Sequence, residues 1–545
     1  MFGPSAHEQA VAFKRQQRED RINALTTYRE PLSAVERDIL DLTVPEAVKL
    51  LRAGEITQQS VLKAYGKQAL ISQEQFNPLT EIMIEDAENR IANVPTSSPL
   101  AGFPVSLKDP FVIKGFDASS GYSSRVNKPS KEDGEIVQVV RAAGGVPFVK
   151  TNVPITLMNI EGYNDVFGRT LNPHNPHFAP GGSSQGEGAL IGSGGSRIGI
   201  GTDIGGSVRV PAAWSGIYSL RMTSYRFPAR GDVVNDNGYE GLINVASPMA
   251  RTLTDLRFFT NAMMETTPAD YDYALIPLPW RADASVPPKP KVGVLKMDEF
   301  IPLTKAQGRA LDMAVDALRK QGSEIVPFKL PEHPSVYNDV EFKLNAADGM
   351  YQLTRYLLPG EHTEWIAAQI QNYLWWPRWL RKTWEWALRF CGYGEKAHML
   401  SLCDNYSVLS YYDVVHKRNT LRKLFREAWK RAEIDFLITA PHPSPAVPNN
   451  NPEILTTILY TTLFNLLDYP AGIVPVSRVA ADLDAEDYPS FSGETQIIHD
   501  LYDAKKMAGL PTAVQVAGMR YRDEETLAAM AFTEDALHKA GVFFK

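Results

Sequence analysis

Between Pro180 and Pro211 the chain carries eleven glycines and five serines, set around short apolar runs. Glycine loses the most backbone entropy on folding and offers no side chain to pack. A segment this rich in it is either floppy or built for close backbone approach. Flexible linkers are monotonously Gly and Ser. This stretch also holds Leu190, Ile191, Ile198, Ile200, Ile204 and Val208, which predict anchoring in a core. It contains no lysine and neither common phosphate-loop pattern, G-x-x-x-x-G-K-[ST] or G-x-G-x-x-G. What remains is a loop of backbone N–H donors beside serine hydroxyls.

A serine hydroxyl is almost wholly protonated at neutral pH, so as a nucleophile it needs a base within hydrogen-bond reach. None of the ten histidines falls in a serine motif. Gly182-Ser-Ser-Gln-Gly186 fits G-x-S-x-G centred on Ser184, but a nucleophile elbow needs a strand just before it. Asn175 to Pro180 reads as loop. His174-Asn-Pro-His177 is the one close histidine pair, and its proline argues against a helical metal site.

The surrounding chain alternates helix and strand signals. Thr43-Val-Pro-Glu46 is a capping box with an early proline, followed by the helical period Ala47, Leu50, Leu51. Leu100 to Lys108 reads as a strand or hairpin, Glu135 to Ala143 as a helix, and Val146 to Lys150 as a buried strand. Ala212 to Tyr218 reads as a helix continuing from the Gly-Gly-Ser turn, and Met222 to Thr254 as loop-rich. Ala282 to Pro290, rich in proline and small residues, is the best internal linker. Strands are expected at 291–295, 434–439 and 510–516, with a helix at 304–321. Such alternation predicts a mixed, largely parallel sheet covered by helices on both faces. Residues 1–40 are charge-rich and read as a solvated helical arm or a docking element for a second copy in a homodimer.

Several of these segments together resemble the amidase signature family of serine hydrolases, on the branch of fungal acetamidases and animal fatty-acid amide hydrolases. The resemblance rests on the 180–211 stretch and on Gly102-Phe-Pro-Val-Ser-Leu-Lys-Asp109 and Lys150-Thr-Asn-Val-Pro154. It extends to Asp435-Phe-Leu-Ile-Thr-Ala-Pro441, Asn465-Leu-Leu-Asp-Tyr-Pro-Ala-Gly472 and Gly509-Leu-Pro-Thr-Ala-Val-Gln515. It implies one large α/β domain over 41–545 with a mixed, twisted central sheet, where length alone suggests two to four domains. It makes 330–430 a variable helical region near the substrate entrance. It implies Ser207 as nucleophile, Ser183 as bridging serine after a cis Gly182–Ser183 bond, and Lys108 as base. The N–H groups of Ile204, Gly205, Gly206 and Ser207 would then line the oxyanion site, and Leu157 and Met158 an apolar substrate wall. Ser184, Ser196, Asp203 and Arg209 match buttressing positions. Gln185 departs from the glycine often found there and is assigned no role.

Lysine is a base only when neutral. Lowering its pKa from about 10.4 to about 7–8 requires roughly 4 kcal/mol against the ammonium form. Burial supplies this, because desolvation disfavours the charged form. Phe103, Val105, Leu107 and Phe111 place Lys108 on an apolar strand; the alternative is a surface lysine paired with Asp109.

The reading is therefore hydrolysis of small-molecule amides through an acyl-enzyme, with no metal or cofactor. Carbamate and ester hydrolysis use the same chemistry. An amidotransferase subunit working beside a tRNA surface is disfavoured by the net charge of −7, which also argues against nucleic acid. Two cysteines in 545 residues and no apolar leader at Met1 point to a reducing, cytoplasmic setting. Ile454 to Val476, the most apolar run, is broken by Asn465, Asp468 and Pro470 and makes a poor membrane span. Thr363 to Phe390 concentrates six tryptophans. From Arg378, Leu380, Trp384, Ala387 and Leu388 share one helical face; Arg378, Arg381, Lys382, Glu385 and Arg389 share the other. Packing of that apolar stripe on the core, or a lid, is expected ahead of a peripheral membrane contact.

Overall fold

Among the described residues of the computed structural model, eleven strands hydrogen-bond into one sheet: β1 (Leu79–Ile82), β2 (Pro104–Lys108), β3 (Val146–Thr151), β4 (Ile198–Asp203), β5 (Tyr218–Arg221), β6 (Val245–Ala250), β7 (Lys291–Leu295), β8 (Glu324–Phe328), β9 (Phe436–Thr439), β10 (Ala471–Arg478) and β11 (Pro511–Ala517). Their spatial order is β1-β3-β2-β4-β6-β5-β10-β11-β9-β7-β8. The structure describes residues 3–544 except 234–237, 363–364, 452–456 and 486–492; Thr363 and Ile454, which open two of the intervals above, lie outside the described residues.

Burial explains the strand sequences. All residues of β2, β3, β4 and β11 are buried, as expected for strands covered on both faces. The sheet is mixed, but the largely parallel expectation fails at its centre. Parallel pairing holds β3-β2-β4 and β9-β7-β8, while β4-β6-β5-β10-β11-β9 runs antiparallel throughout. Helix–strand alternation constrains which faces are covered, not strand direction.

The capping box at Thr43 opens the helix Val44–Ala53, and Gly54 closes it in the left-handed conformation. The helix Glu135–Ala142 and strand β3 follow the expected bounds closely. The helix expected to reach Tyr218 stops at Ser215, because Gly216 takes φ 67° and turns the chain into β5. The 222–254 interval is loop-rich as expected up to β6, which closes it. Residues 282–290 have no regular structure, but they join segments of one sheet instead of separating two units.

The N-terminal helix Ala6–Ala24 is solvated over most of its surface but docks on the sheet through one face. It lies on β1, where Lys14 is buried and donates to Glu81 and, at 2.8 Å, to Asp117. Arg18 Nη1 donates to the Leu79 carbonyl at 2.8 Å. The charge-rich segment reads as an arm, but Lys14 and Arg21 find carboxylate partners sixty or more residues away.

The helix Arg378–Phe390 also departs from expectation. Leu388 and Glu385 face inward, with Tyr373 Oη donating to Glu385 Oε1. Trp379, Trp386 and Phe390 are 70%, 65% and 80% exposed. The aromatic residues therefore lie largely outside the core, and one acidic residue of the polar face lies within it. No helix among the described residues is long and apolar enough to cross a membrane.

Candidate active site

The glycine-rich stretch folds as turn, helix, strand, turn and helix: Gln185–Gly192, then β4, then Arg209–Ser215. Its apolar residues are buried as expected, apart from a partly exposed Ile204. Glycine permits the layers to touch. A Cβ at Gly199 of β4 would overlap the Glu187 carboxylate of the helix lying on it. No strand leads directly into Ser184 among the described residues, so it does not occupy a nucleophile elbow.

Strand β2 ends on Lys108, which is fully buried. Its Nζ donates to Ser183 Oγ at 2.8 Å and to Thr202 Oγ1 at 2.7 Å. The alternative pairing with Asp109 does not form an exposed strand end: Asp109 Oδ2 accepts from the N–H groups of Ser119 and Ser120 at 2.9 and 2.6 Å. The Gly182–Ser183 peptide bond is cis. Ser183 and Ser207 open onto the same cavity, and Ser207 is 9% exposed. The Ser184 N–H donates to the Ser207 carbonyl at 3.1 Å, tying the two serine-bearing turns together.

Between β4 and the Arg209–Ser215 helix, the turn wraps a buried ion pair. Arg209 Nε and Nη2 donate to Asp203 Oδ2 and Oδ1 at 3.0 and 2.9 Å. Arg209 Nη1 also donates to the Thr461 carbonyl and to Gln515 Oε1, both at 2.8 Å. Burial alone would raise the Asp203 pKa; the charge and hydrogen bonds of Arg209, with Arg221 and Asn465, reverse this and hold it well below the usual carboxylate range. The same carboxylate accepts from the N–H groups of Gly206 at 2.8 Å and Val208 at 3.2 Å. Gly206 N–H is thus committed to Asp203 rather than pointing to an oxyanion. Gly206 contributes its conformation, φ 123°, where a Cβ would overlap Thr461 Oγ1. Among the described residues, the N–H groups of Ile204, Gly205 and Ser207 have no protein partner. Of the other expected buttresses, Ser184 Oγ reaches the Thr202 carbonyl at 3.4 Å and Ser196 Oγ the Ile198 carbonyl at 2.9 Å. Gln185 is buried and packs against Gly162.

The cavity is small, ≈ 30 Å³ of space for the centres of water-sized groups. Leu157, Met158, Ile204 and Leu353 form its apolar wall. Thr156 and Leu157 both lie in the left-handed region, φ 65° and 63°, a costly conformation for a β-branched threonine. Tyr239, Asn244 and Asn345 add polar groups. Sequence reasoning missed these three and Leu353, because they come from loops and helices without a motif. Thr202 had a signal, its place beside Asp203 at the end of a glycine-spaced strand.

Glu187 lies behind the lysine. Ser106 Oγ and Thr151 Oγ1 donate to its two oxygens at 2.6 and 2.8 Å. Burial pushes its carboxyl up to about 7, against the opposing pull of those hydrogen bonds and of Lys108. The folded value lies above the ordinary 4.5, so folding takes up a proton between these values. Stability carried by this group is present below about pH 4.5 and falls as pH rises to about 7, by about 3 kcal/mol. Glu187→Gln should lack that decline. In urea unfolding from pH 4.5 to 8, its stability should rise relative to the unaltered protein; a constant difference would refute the assignment.

The sequence profile of the amidase family matches residues 60–527. The chain is 32% identical over 506 residues to the fatty-acid amide hydrolase 1 of Sus scrofa, covering 91% of this chain and 86% of that protein. It is 32% identical over 517 residues to an acetamidase of Emericella nidulans, covering 91% and 89% respectively. A solved structure titled fatty acid amide hydrolase superposes with a TM-score of 0.79 at 28% identity, covering 98% of this chain and 91% of that one.

Proposed function

Given that this chain belongs to the amidase signature family and is an amide hydrolase, we propose that it cleaves short-chain carboxylic amides with Ser207 as nucleophile and Ser183 and Lys108 as its proton relay. The observation that carries this reading is the 2.8 Å contact between a fully buried Lys108 Nζ and Ser183 Oγ, beside the cavity that also takes Ser207. Burial disfavours an ammonium there, and a neutral amine can draw the Ser183 proton.

Ser183 in turn takes the proton of Ser207, whose Oγ bonds to the amide carbon. The carbonyl electron pair moves to oxygen, which the N–H groups of Ile204, Gly205 and Ser207 stabilise. Collapse breaks the C–N bond, and the amine leaves with a proton delivered by Ser183 and resupplied by Lys108. Water then repeats the addition and frees the acid. No cofactor enters the scheme. The catalytic unit is 41–545, and the helices of 330–430 frame the entrance. The substrate is a dissolved small amide and the setting cytoplasmic. The ≈ 30 Å³ cavity supports acyl groups of acetamide size over long chains.

Mass spectrometry after rapid acid quench tests the scheme. With short-chain amides, an acyl mass increment should appear on the peptide carrying Ser207 and vanish in Ser207→Ala together with turnover. Wild-type turnover by Ser207→Ala, or acylation elsewhere, would remove Ser207 from its role.

A further inference from the structure

The cavity's apolar wall has one polar break that the reaction scheme does not use. Asn345 ends the helix Pro334–Asn345 and lines the cavity. One turn earlier on that helix, Glu341 is buried, and Asn345 Nδ2 donates to its Oε1. Nδ2 is engaged by this bond. Asn345 Oδ1 is left buried and, among the described residues, without a hydrogen-bond partner. The next residue, Ala346, packs in the cluster that holds Met158 and Leu353, so the amide stands on the acyl wall. Burial pushes the Glu341 carboxyl up to about 8, only partly offset by the bond from Asn345.

A buried and unpaired acceptor on a residue that lines a binding cavity is costly unless a ligand satisfies it. We propose that Asn345, positioned by Glu341, selects amides whose acyl chain carries a hydroxyl or N–H donor within a few atoms of the scissile carbonyl. This rests on the amidase reading of the cavity and names its substrate class. The consequence is discrimination between isosteres. A site built to bond a donor rejects the methyl analogue, because its own acceptor then stays unpaired.

Two isosteric pairs test it: lactamide against isobutyramide, and 3-hydroxybutyramide against isovaleramide. Binding is measured by calorimetry on Ser207→Ala, so the result does not depend on turnover, and kcat/KM is measured on the unaltered enzyme. At least one hydroxyamide should bind about tenfold or more tightly than its isostere, the effect of one such bond. Asn345→Leu in the same background should bring the ratio to within about twofold of unity or invert it. Glu341→Gln, which keeps an acceptor for Nδ2, should retain the preference, whereas Glu341→Leu should weaken it. Equal binding in both pairs, no binding of either hydroxyamide, or a preference that survives Asn345→Leu overturns the proposal. Hydrolysis of none of the four amides by the unaltered enzyme would count against the short-chain amidase reading instead, while the binding ratios still decide the role of Asn345.

Discussion

Lys108→Ala is expected to lower kcat for amide hydrolysis by on the order of 10²–10⁴-fold, the usual worth of a positioned general base. The variant tests more than importance. Lys108 Nζ lies 2.8 Å from Ser183 Oγ and 2.7 Å from Thr202 Oγ1, so truncation leaves a buried hole beside both hydroxyls. A small primary amine such as ethylamine fits such a hole. If the neutral amine is the working group, added ethylamine should restore turnover in proportion to its unprotonated fraction, and the restored rate should rise with pH. A lysine that only braces the fold would show neither effect. Unchanged turnover in Lys108→Ala, or a loss that no amine repairs at any pH, would end the relay scheme.

Asp203→Ala should destabilise the fold by about 3–5 kcal/mol, the cost of stranding one member of a buried ion pair. Arg209 would remain fully buried with its guanidinium aimed at an absent carboxylate. The N–H groups of Gly206 and Val208 would lose their acceptor in the turn that carries Ser207. Urea midpoints, with the unfolding slope held in common, measure the loss. Removing both charges in Asp203→Leu with Arg209→Met should recover part of it, because the uncompensated charge is then gone. The pH sign follows from the depressed Asp203 value. In the unaltered protein this contribution is present above the ordinary carboxylate pKa and is lost as pH falls below it, so the two proteins should converge in acid. A loss under about 1 kcal/mol at pH 7 would show that the pair is not what holds the turn.

Much of the site was legible because its parts are local. A lysine at the end of an apolar strand, two serines in glycine turns and an Asp-to-Arg spacing of six residues are short-range patterns. Each requirement that produced them, burial or close approach, acts on neighbouring residues. The capping box at Thr43 was legible for the same reason, since its donors and acceptors lie three residues apart. The long interval 330–430 was readable as helix from its periodicity, but not in its orientation. Glu385 turned inward because Tyr373, on another helix, supplies a hydrogen bond.

By itself the sequence determined the helix–strand alternation, the apolar strand that ends on Lys108 and the pairing of serines with glycine turns, because these depend on backbone conformation and hydrophobicity over a few residues. Only the tertiary structure decided the antiparallel centre of the sheet, the docking of Lys14 against Glu81 and Asp117, the commitment of the Gly206 N–H to Asp203, and the placing of Asn345 on the cavity wall. Strand direction and docking arise between segments far apart in the chain. The use of Gly206 N–H is settled by which acceptor the packed turn brings closest. A residue's polarity states that it needs a partner; only the assembled core supplies one or leaves it for a substrate.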